Sequence, residues 1–187
     1  MQSLILLVES LKNSDIKKIV DSRMSEFEEL GKKNSNEIFK ELCFCLMTAN
    51  FSASGGIKIQ NAVGDGFHTL SEEELAKQLA ILGHRFPNMR AKFIVEARRF
   101  KDNIKETLND FEGDLKKREW IADNIKGLGM KESSHFLRNI GYKNIAIIDF
   151  HIVDLLARHG VIDFQRKQTQ ISVSSICIYG IKKREKF

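Results

Sequence analysis

Ile125-Lys126-Gly127-Leu128-Gly129-Met130-Lys131-Glu132-Ser133-Ser134-His135-Phe136-Leu137 lies between two segments of helical spacing, and its reading decides the fold. Gly127 and Gly129 permit positive φ and close backbone approach, Leu128 anchors the turn in a core, and a second helix begins near Met130. The free N–H groups of that helix start then face outward. Together with the positive end of the helix dipole they suit a DNA phosphate, because they attract an anion without reading a base. An isolated Gly-x-Gly more often only joins two helices, so the turn by itself leaves both readings open.

The flanking residues add chemistry. Lys131 stands in the first turn of the new helix, and eighteen positions on Asp149 ends the apolar, strand-like run Ile145-Ala146-Ile147-Ile148. Phe150-His151-Ile152 opens a further helix that reaches Arg158 before Gly160. A lone lysine or aspartate is usually a surface residue. Brought to one cleft, a lysine at a phosphate-binding hairpin and an aspartate at a helix entrance supply a nucleophile and its helper. His135 and His151 lie nearby, and a lone histidine on a helix is more often structural than catalytic.

Towards the N-terminus the pattern is helical throughout. Leu4 to Leu11 and Ile16 to Leu30 read as amphipathic helices punctuated by Asn13-Ser14-Asp15. Asn34 with Glu37 marks another N-terminus, and Ile38, Phe39, Leu42, Cys43, Leu46 and Met47 predict a central core helix that ends around Thr48-Ala49-Asn50. A loop through Ser52, Ser54, Gly55 and Gly56 leads to a short helix over Ile57 to Val63. Ser71-x-x-Glu74 is a capping-box signature for a helix through Leu82, which Gly83 ends. Pro87 starts the next, running to about Phe100 with Lys92, Arg98, Arg99 and Lys101 on a basic side, and Asp114 to Asn124 forms one more. The fold class is all-α.

Composition narrows the classes. At 187 residues the chain has the length of one domain, although an all-helical enzyme of this size also splits into two lobes around a cleft. A net charge of +5 suits an anionic partner, but excess lysine is also common on solvated surfaces. Met1 to Glu9 is too short and too soon charged for a signal peptide, and no apolar run reaches the roughly 18 residues of a membrane helix, so an intracellular, cytoplasmic protein is expected. Three cysteines make no disulfide framework; Cys43 and Cys45 read as inert buried thiols. No His, Asp, Glu and Cys trio has ligand spacing, so neither metal nor cofactor is expected.

Gly127-Leu128-Gly129-Met130-Lys131 with Ile148-Asp149 and His151 resembles the helix-hairpin-helix/GPD superfamily of DNA glycosylases. Glu41 to Phe51, Gly83-His84-Arg85-Phe86 and Ser134 to Asn139 are more closely similar to the second family of 8-oxoguanine DNA glycosylase/lyases, typical of archaea and thermophilic bacteria. The resemblance covers roughly residues 1 to 163, which would form the glycosylase/lyase domain as two helical lobes around a cleft. The iron–sulfur branch would want four closely spaced cysteines after the last catalytic helix, and they are absent from the sequence.

The resemblance implies a base-excision repair enzyme, acting as a monomer on duplex DNA that contains 8-oxoguanine or abasic sites. Lys131 would attack the sugar, Asp149 would assist, and β-elimination from the Schiff base would cut the strand. Gly127, Leu128, Gly129 and Met130 would bind the DNA backbone. Asn50 would fill the gap left by the flipped nucleotide, although its position after Thr48-Ala49 equally suits a helix C-terminus. Phe86 would wall the base pocket, or serve as a core phenylalanine beside a turn. The amine must attack as the free base, whereas a lysine of ordinary pKa, about 10.4, is protonated at neutral pH. Desolvation and neighbouring positive charge favour the free amine; a close carboxylate opposes it.

Other readings share some of these features. A lyase for oxidised pyrimidines would keep Lys131 and Asp149, a monofunctional adenine glycosylase would leave Lys131 without a role, and a noncatalytic hairpin module would bind phosphates only. The sequence also departs from the family. From Phe164 to Phe187 it forms an atypical basic tail in place of the helices, Tyr-Ile-Trp-like stretch and terminal lysine that help relatives grip 8-oxoguanine. A truncation or frameshift would explain it: TGT ATA TAT GGG ATA for Cys177 to Ile181, read two bases later, encodes Tyr-Ile-Trp-Asp. Phe150 stands where relatives often carry arginine.

Overall fold

The structure, a computed structural model, describes residues 2–163. The tail and its frameshift reading lie outside the described residues. All regular elements among those residues are helical: α1 (Gln2–Lys12), α2 (Asp15–Lys32), α3 (Ser35–Thr48), α4 (Ala53–Val63), α5 (Gly66–Thr69), α6 (Glu72–Ile81), α7 (Pro87–Ala97), α8 (Ile104–Asn109), α9 (Asp114–Asn124), α10 (Met130–Asn139) and α11 (Phe150–Arg158). The described chain divides into two compact units, one from Glu26 to Ile145 and the other made of residues 2–25 with residues 146–163.

The Glu26–Ile145 unit is organised on α3. Asn34 caps this helix by accepting from the Glu37 N–H at 3.1 Å, as its spacing predicts. Ile38, Phe39, Leu42, Cys43, Leu46 and Met47 are buried, and α4, α7, α8 and α10 pack around them. Burial on this scale is the main stabilising term, since each fully buried large aliphatic or aromatic side chain contributes about 1.5–3 kcal/mol. The capping box is present in full: Glu74 N donates to Ser71 Oγ at 3.2 Å and Ser71 N donates to Glu74 Oε2 at 2.9 Å. Pro87 occupies the first turn of α7, where its missing N–H costs nothing.

Four local expectations are corrected. The α7 segment becomes a tight 3-10 turn at Arg98–Phe100. Arg98 is not part of an exposed basic face: it donates to the Phe67 carbonyl at 2.8 Å and so ties that turn to the end of α5. Helix α4 begins at Ala53 rather than Ile57, so Ser54, Gly55 and Gly56 lie in its first turn, capped by Ser52 Oγ, which accepts from the Gly55 N–H at 3.1 Å. The Ile145–Ile148 run, strand-like in sequence, forms no strand among the described residues; without a neighbouring ladder an apolar run has no sheet to join.

The second unit is built differently. Helix α2 runs across the boundary at Ser25; no residue of α1, or of α2 as far as Ser25, is buried, and Val153 of α11 is the buried hydrophobic residue of this unit among those described. Ile5, Leu6, Leu7, Val8 and Leu11 of α1, and Ile16, Ile19 and Val20 of α2, are exposed. Within the unit Ser3 Oγ and His159 Nδ1 lie 3.0 Å apart, joining α1 to the end of α11.

Candidate active site

Helices α9 and α10 pack together and are joined by the glycine hairpin. Gly127 has φ 96°, and a Cβ there would stand 2.4 Å from Phe93 Cδ2 and 3.1 Å from Leu46 Cδ2, so both conformation and space require glycine. Leu128 is buried in the core, and its N–H donates to the Ile125 carbonyl at 3.1 Å. Its side chain therefore anchors the turn, and only its backbone is left to meet a ligand. Gly129 is exposed, adopts an ordinary extended conformation and caps α10 without a side-chain hydrogen bond. A polar cap residue would occupy that helix start; glycine leaves its N–H groups approachable.

Lys131 follows in the first turn of α10. Its side chain is 38% exposed and Nζ lies 3.8 Å from Glu132 Oε1. Behind it Ser133 and Ser134 are buried, and their hydroxyls donate to the Gly129 and Met130 carbonyls at 2.8 and 2.9 Å. Met130 is half-buried. Further along, Arg138 donates to Asn139 Oδ1 at 2.8 Å, and Asn139 Nδ2 donates to Glu41 Oε1 at 2.6 Å, crossing from α10 to α3. His135 Nδ1 sits 3.4 Å from the Arg138 guanidinium, at the edge of this structural network. The Ser134–Asn139 and Glu41 motifs thus serve to dock the hairpin helix on the core helix.

The C-terminal end of α3 is held by two buried side chains that the sequence reading left without a role. His84 Nε2 lies 2.9 Å from the Met47 carbonyl, and the Phe86 N–H donates to His84 Nδ1 at 3.0 Å. Arg90 of α7 donates from Nη2 to the Ala49 carbonyl at 2.6 Å. Asn50 follows at φ 62°, the non-glycine residue with positive φ among those described, and it is exposed. Phe86 is half-buried, with the Arg85 guanidinium 5.0 Å from its ring centre. Burial pushes the His84 pKa below that of an ordinary imidazole, against the opposing pull of the Met47 carbonyl. The signal for His84 was present in Gly83-His84-Arg85-Phe86, but nothing in the sequence says which carbonyl a histidine will meet.

Asp149 belongs to the second unit, where it is the N-cap of α11 and accepts from the Ile152 N–H at 3.0 Å. This bond fixes one carboxylate oxygen at the helix entrance. His151 and Phe150 are exposed, the latter by 65%. Within the Glu26–Ile145 unit the structure brings Gly127 against α3 and α7 and links Phe86 to the end of α3 before Asn50. Among the described residues no group of three His, Cys, Asp or Glu side chains gathers to hold a metal ion. Cys43 and Cys45 are buried, and burial pushes both thiols well above their usual range.

Known proteins share this arrangement. The family model described as 8-oxoguanine DNA glycosylase, of the helix-hairpin-helix type, matches residues 20–174. The 8-oxoguanine DNA glycosylase/AP lyase of Methanocaldococcus jannaschii is 55% identical over 160 residues, which cover 86% of this chain and 77% of that protein. The protein of the same name from Korarchaeum cryptofilum is 53% identical over 84% of this chain and 74% of its own length. In three dimensions the chain matches the crystal structure of the M. jannaschii 8-oxoguanine DNA glycosylase with a TM-score of 0.85 at 48% identity, covering 97% of this chain and 85% of that one. The same enzyme in complex with a 15mer DNA containing 8-oxoguanine matches with a TM-score of 0.83, covering 99% and 90%. Matched over most of its length in sequence and in three dimensions, the chain belongs to the helix-hairpin-helix family of 8-oxoguanine DNA glycosylases.

Proposed function

We propose that this chain excises 8-oxoguanine from duplex DNA and cleaves the strand at the resulting abasic site, acting as a monomer inside the cell. The observation that carries the reading is the placement of Lys131 in the first turn of α10, directly behind an uncapped glycine helix start. Phosphates bound there would bring the sugar to the lysine, since backbone N–H groups and the helix dipole hold an anion regardless of base sequence.

A base inside a duplex is out of reach, so the nucleotide must first leave the stack, at a cost of a few kcal/mol. Asn50, exposed on its turn, would fill the gap, and Phe86 would face the extruded base. The free amine of Lys131 then attacks C1′, the base departs with the electrons of the glycosidic bond, and the nitrogen loses a proton as the sugar ring opens to a Schiff base. Loss of a proton from C2′ expels the 3′ phosphate and breaks the strand. Asp149 would stabilise the positive charge that develops as the base leaves. Its cap bond to Ile152 holds the carboxylate ready for that role.

Incubation with a labelled 8-oxoguanine duplex and borohydride tests this. A covalent adduct is expected with the native chain and none with Lys131→Ala; trapping with an intact Lys131→Ala protein removes the nucleophile assignment. Asp149→Asn keeps a capping side chain but not the charge, so it should fold normally and release base at least tenfold more slowly. An adduct on an abasic duplex alone would mean that base recognition, but not the lyase, has been lost; no adduct on either would leave a DNA-binding module.

A further inference from the structure

The chemistry above gives no task to His84 and Arg90, each only 5% exposed. Polar groups are retained in a core when they meet a demand that an apolar side chain cannot, because burying them unbonded costs free energy. Here the demand is the end of α3. The last carbonyls of a helix have no partner within it. His84 takes the Met47 carbonyl and Arg90 the Ala49 carbonyl.

His84 has a second bond. Its Nδ1 accepts from the Phe86 N–H, so that nitrogen carries no proton and Nε2 is the one that donates to Met47. One neutral ring therefore joins a carbonyl three residues before Asn50 to the backbone of Phe86. Its face also lies 4.4 Å, centre to centre, from the ring of Phe51, the residue after Asn50. Asn50 itself stands at φ 62°, a conformation that a side chain with a Cβ disfavours and that must be held by its neighbours. Those neighbours are Ala49, bonded to Arg90, and Phe51, whose N–H donates to the Thr48 carbonyl at 3.1 Å and whose ring rests on His84.

We propose that His84 is a positioning residue that sets Asn50 and Phe86 in one register, so that the residue entering the duplex and the wall of the base pocket are placed by a single ring, with Arg90 as a second strut on the Asn50 side. The proposal rests on the reading of Asn50 and Phe86 as the residues that open the duplex and receive the base. It locates the role of His84 in base extrusion rather than in Schiff-base chemistry. An abasic nucleotide has no base to unstack or to receive, so its cleavage should depend far less on the bridge.

Two variants separate the two bonds. His84→Asn keeps an acceptor at the place of Nδ1, toward Phe86; His84→Gln keeps a donor at the place of Nε2, toward Met47. Single-turnover base release from an 8-oxoguanine duplex and cleavage of a pre-formed abasic duplex are measured for both, for His84→Ala and for the native chain. Base release is expected to fall about tenfold or more in His84→Ala and clearly below native in both His84→Asn and His84→Gln, each of which keeps only one side of the bridge, since small misplacements cost up to about a hundredfold. Abasic cleavage should stay within about twofold in every variant, since the bridge serves the base and not the sugar chemistry. Equal losses on both substrates, or native base release by either the Asn or the Gln variant, overturn the proposal even if His84→Ala fails to fold. A native chain that cleaves abasic DNA but releases no 8-oxoguanine overturns the underlying reading, and the proposal with it.

Discussion

The unit from Glu26 to Ile145 and the unit formed by the two chain ends are made of the same material, amphipathic helices with apolar residues three and four apart. In the first, α3 is surrounded by four other helices and Phe39, Leu42 and Leu46 are wholly buried. In the second, α1 and the part of α2 up to Ser25 keep exposed apolar residues, and Leu6 is 70% exposed. The difference teaches that an apolar stripe specifies which side of a helix is to be covered, but not that anything covers it. Burial stabilises only where a second surface arrives. Lys131, the proposed nucleophile, belongs to the first unit and Asp149, its proposed helper, to the second.

The sharpest way to break this comparison is to cut one large side chain from each unit. Phe39→Ala should destabilise the protein by about 3–5 kcal/mol, the usual cost of emptying a core aromatic site, read as a shift of the denaturant midpoint at constant slope. Next in size is Gly127→Ala. The methyl group meets the Phe93 ring in a backbone already at φ 96°, so we expect a loss of about 1–3 kcal/mol, with weaker binding to an undamaged duplex in a salt titration. Gly129→Ala, at an ordinary φ with only Glu132 Oε2 at 3.4 Å, should leave stability nearly unchanged.

A smaller effect should come from pH, again through the first unit. Burial lowers the pKa of both His68 and His84, so the folded state binds fewer protons than the unfolded chain. Their contribution is present in full above the unfolded value of about 6.5 and is lost as pH falls through the depressed folded values. Urea midpoints at pH 7.5 and 5.5 should therefore differ in favour of the higher pH, and His84→Asn should narrow that gap. The smallest change is expected for Leu6→Ala, within about 0.5 kcal/mol of the native chain. If it cost as much as Phe39→Ala, the contrast between the units would fall.

Helix positions followed closely from residue spacing because capping and periodicity are local. Asp114–Asn124, the Ser71–Glu74 capping box and the α10 start at Met130 all appear where their residues predict. The hairpin was legible for the same reason, and its two glycines differ only in ways that need neighbours: Phe93 and Leu46 are distant in sequence, and they make Gly127 obligatory while Gly129 is free. Arg98 was misread as surface charge because the carbonyls it serves, Phe67 and Gly66, lie some thirty residues away.

What the sequence by itself determined is the all-helical class and the Gly127–Gly129 hairpin between two helices. These depend on short-range spacing and on residue chemistry, both written along the chain. Only the tertiary structure decided that His84 and Arg90 terminate α3, that Asn50 is held at positive φ, and that Asn139 docks the hairpin helix on Glu41. A buried polar side chain is placed by the one partner able to satisfy it, and that partner is chosen by packing between helices far apart in sequence.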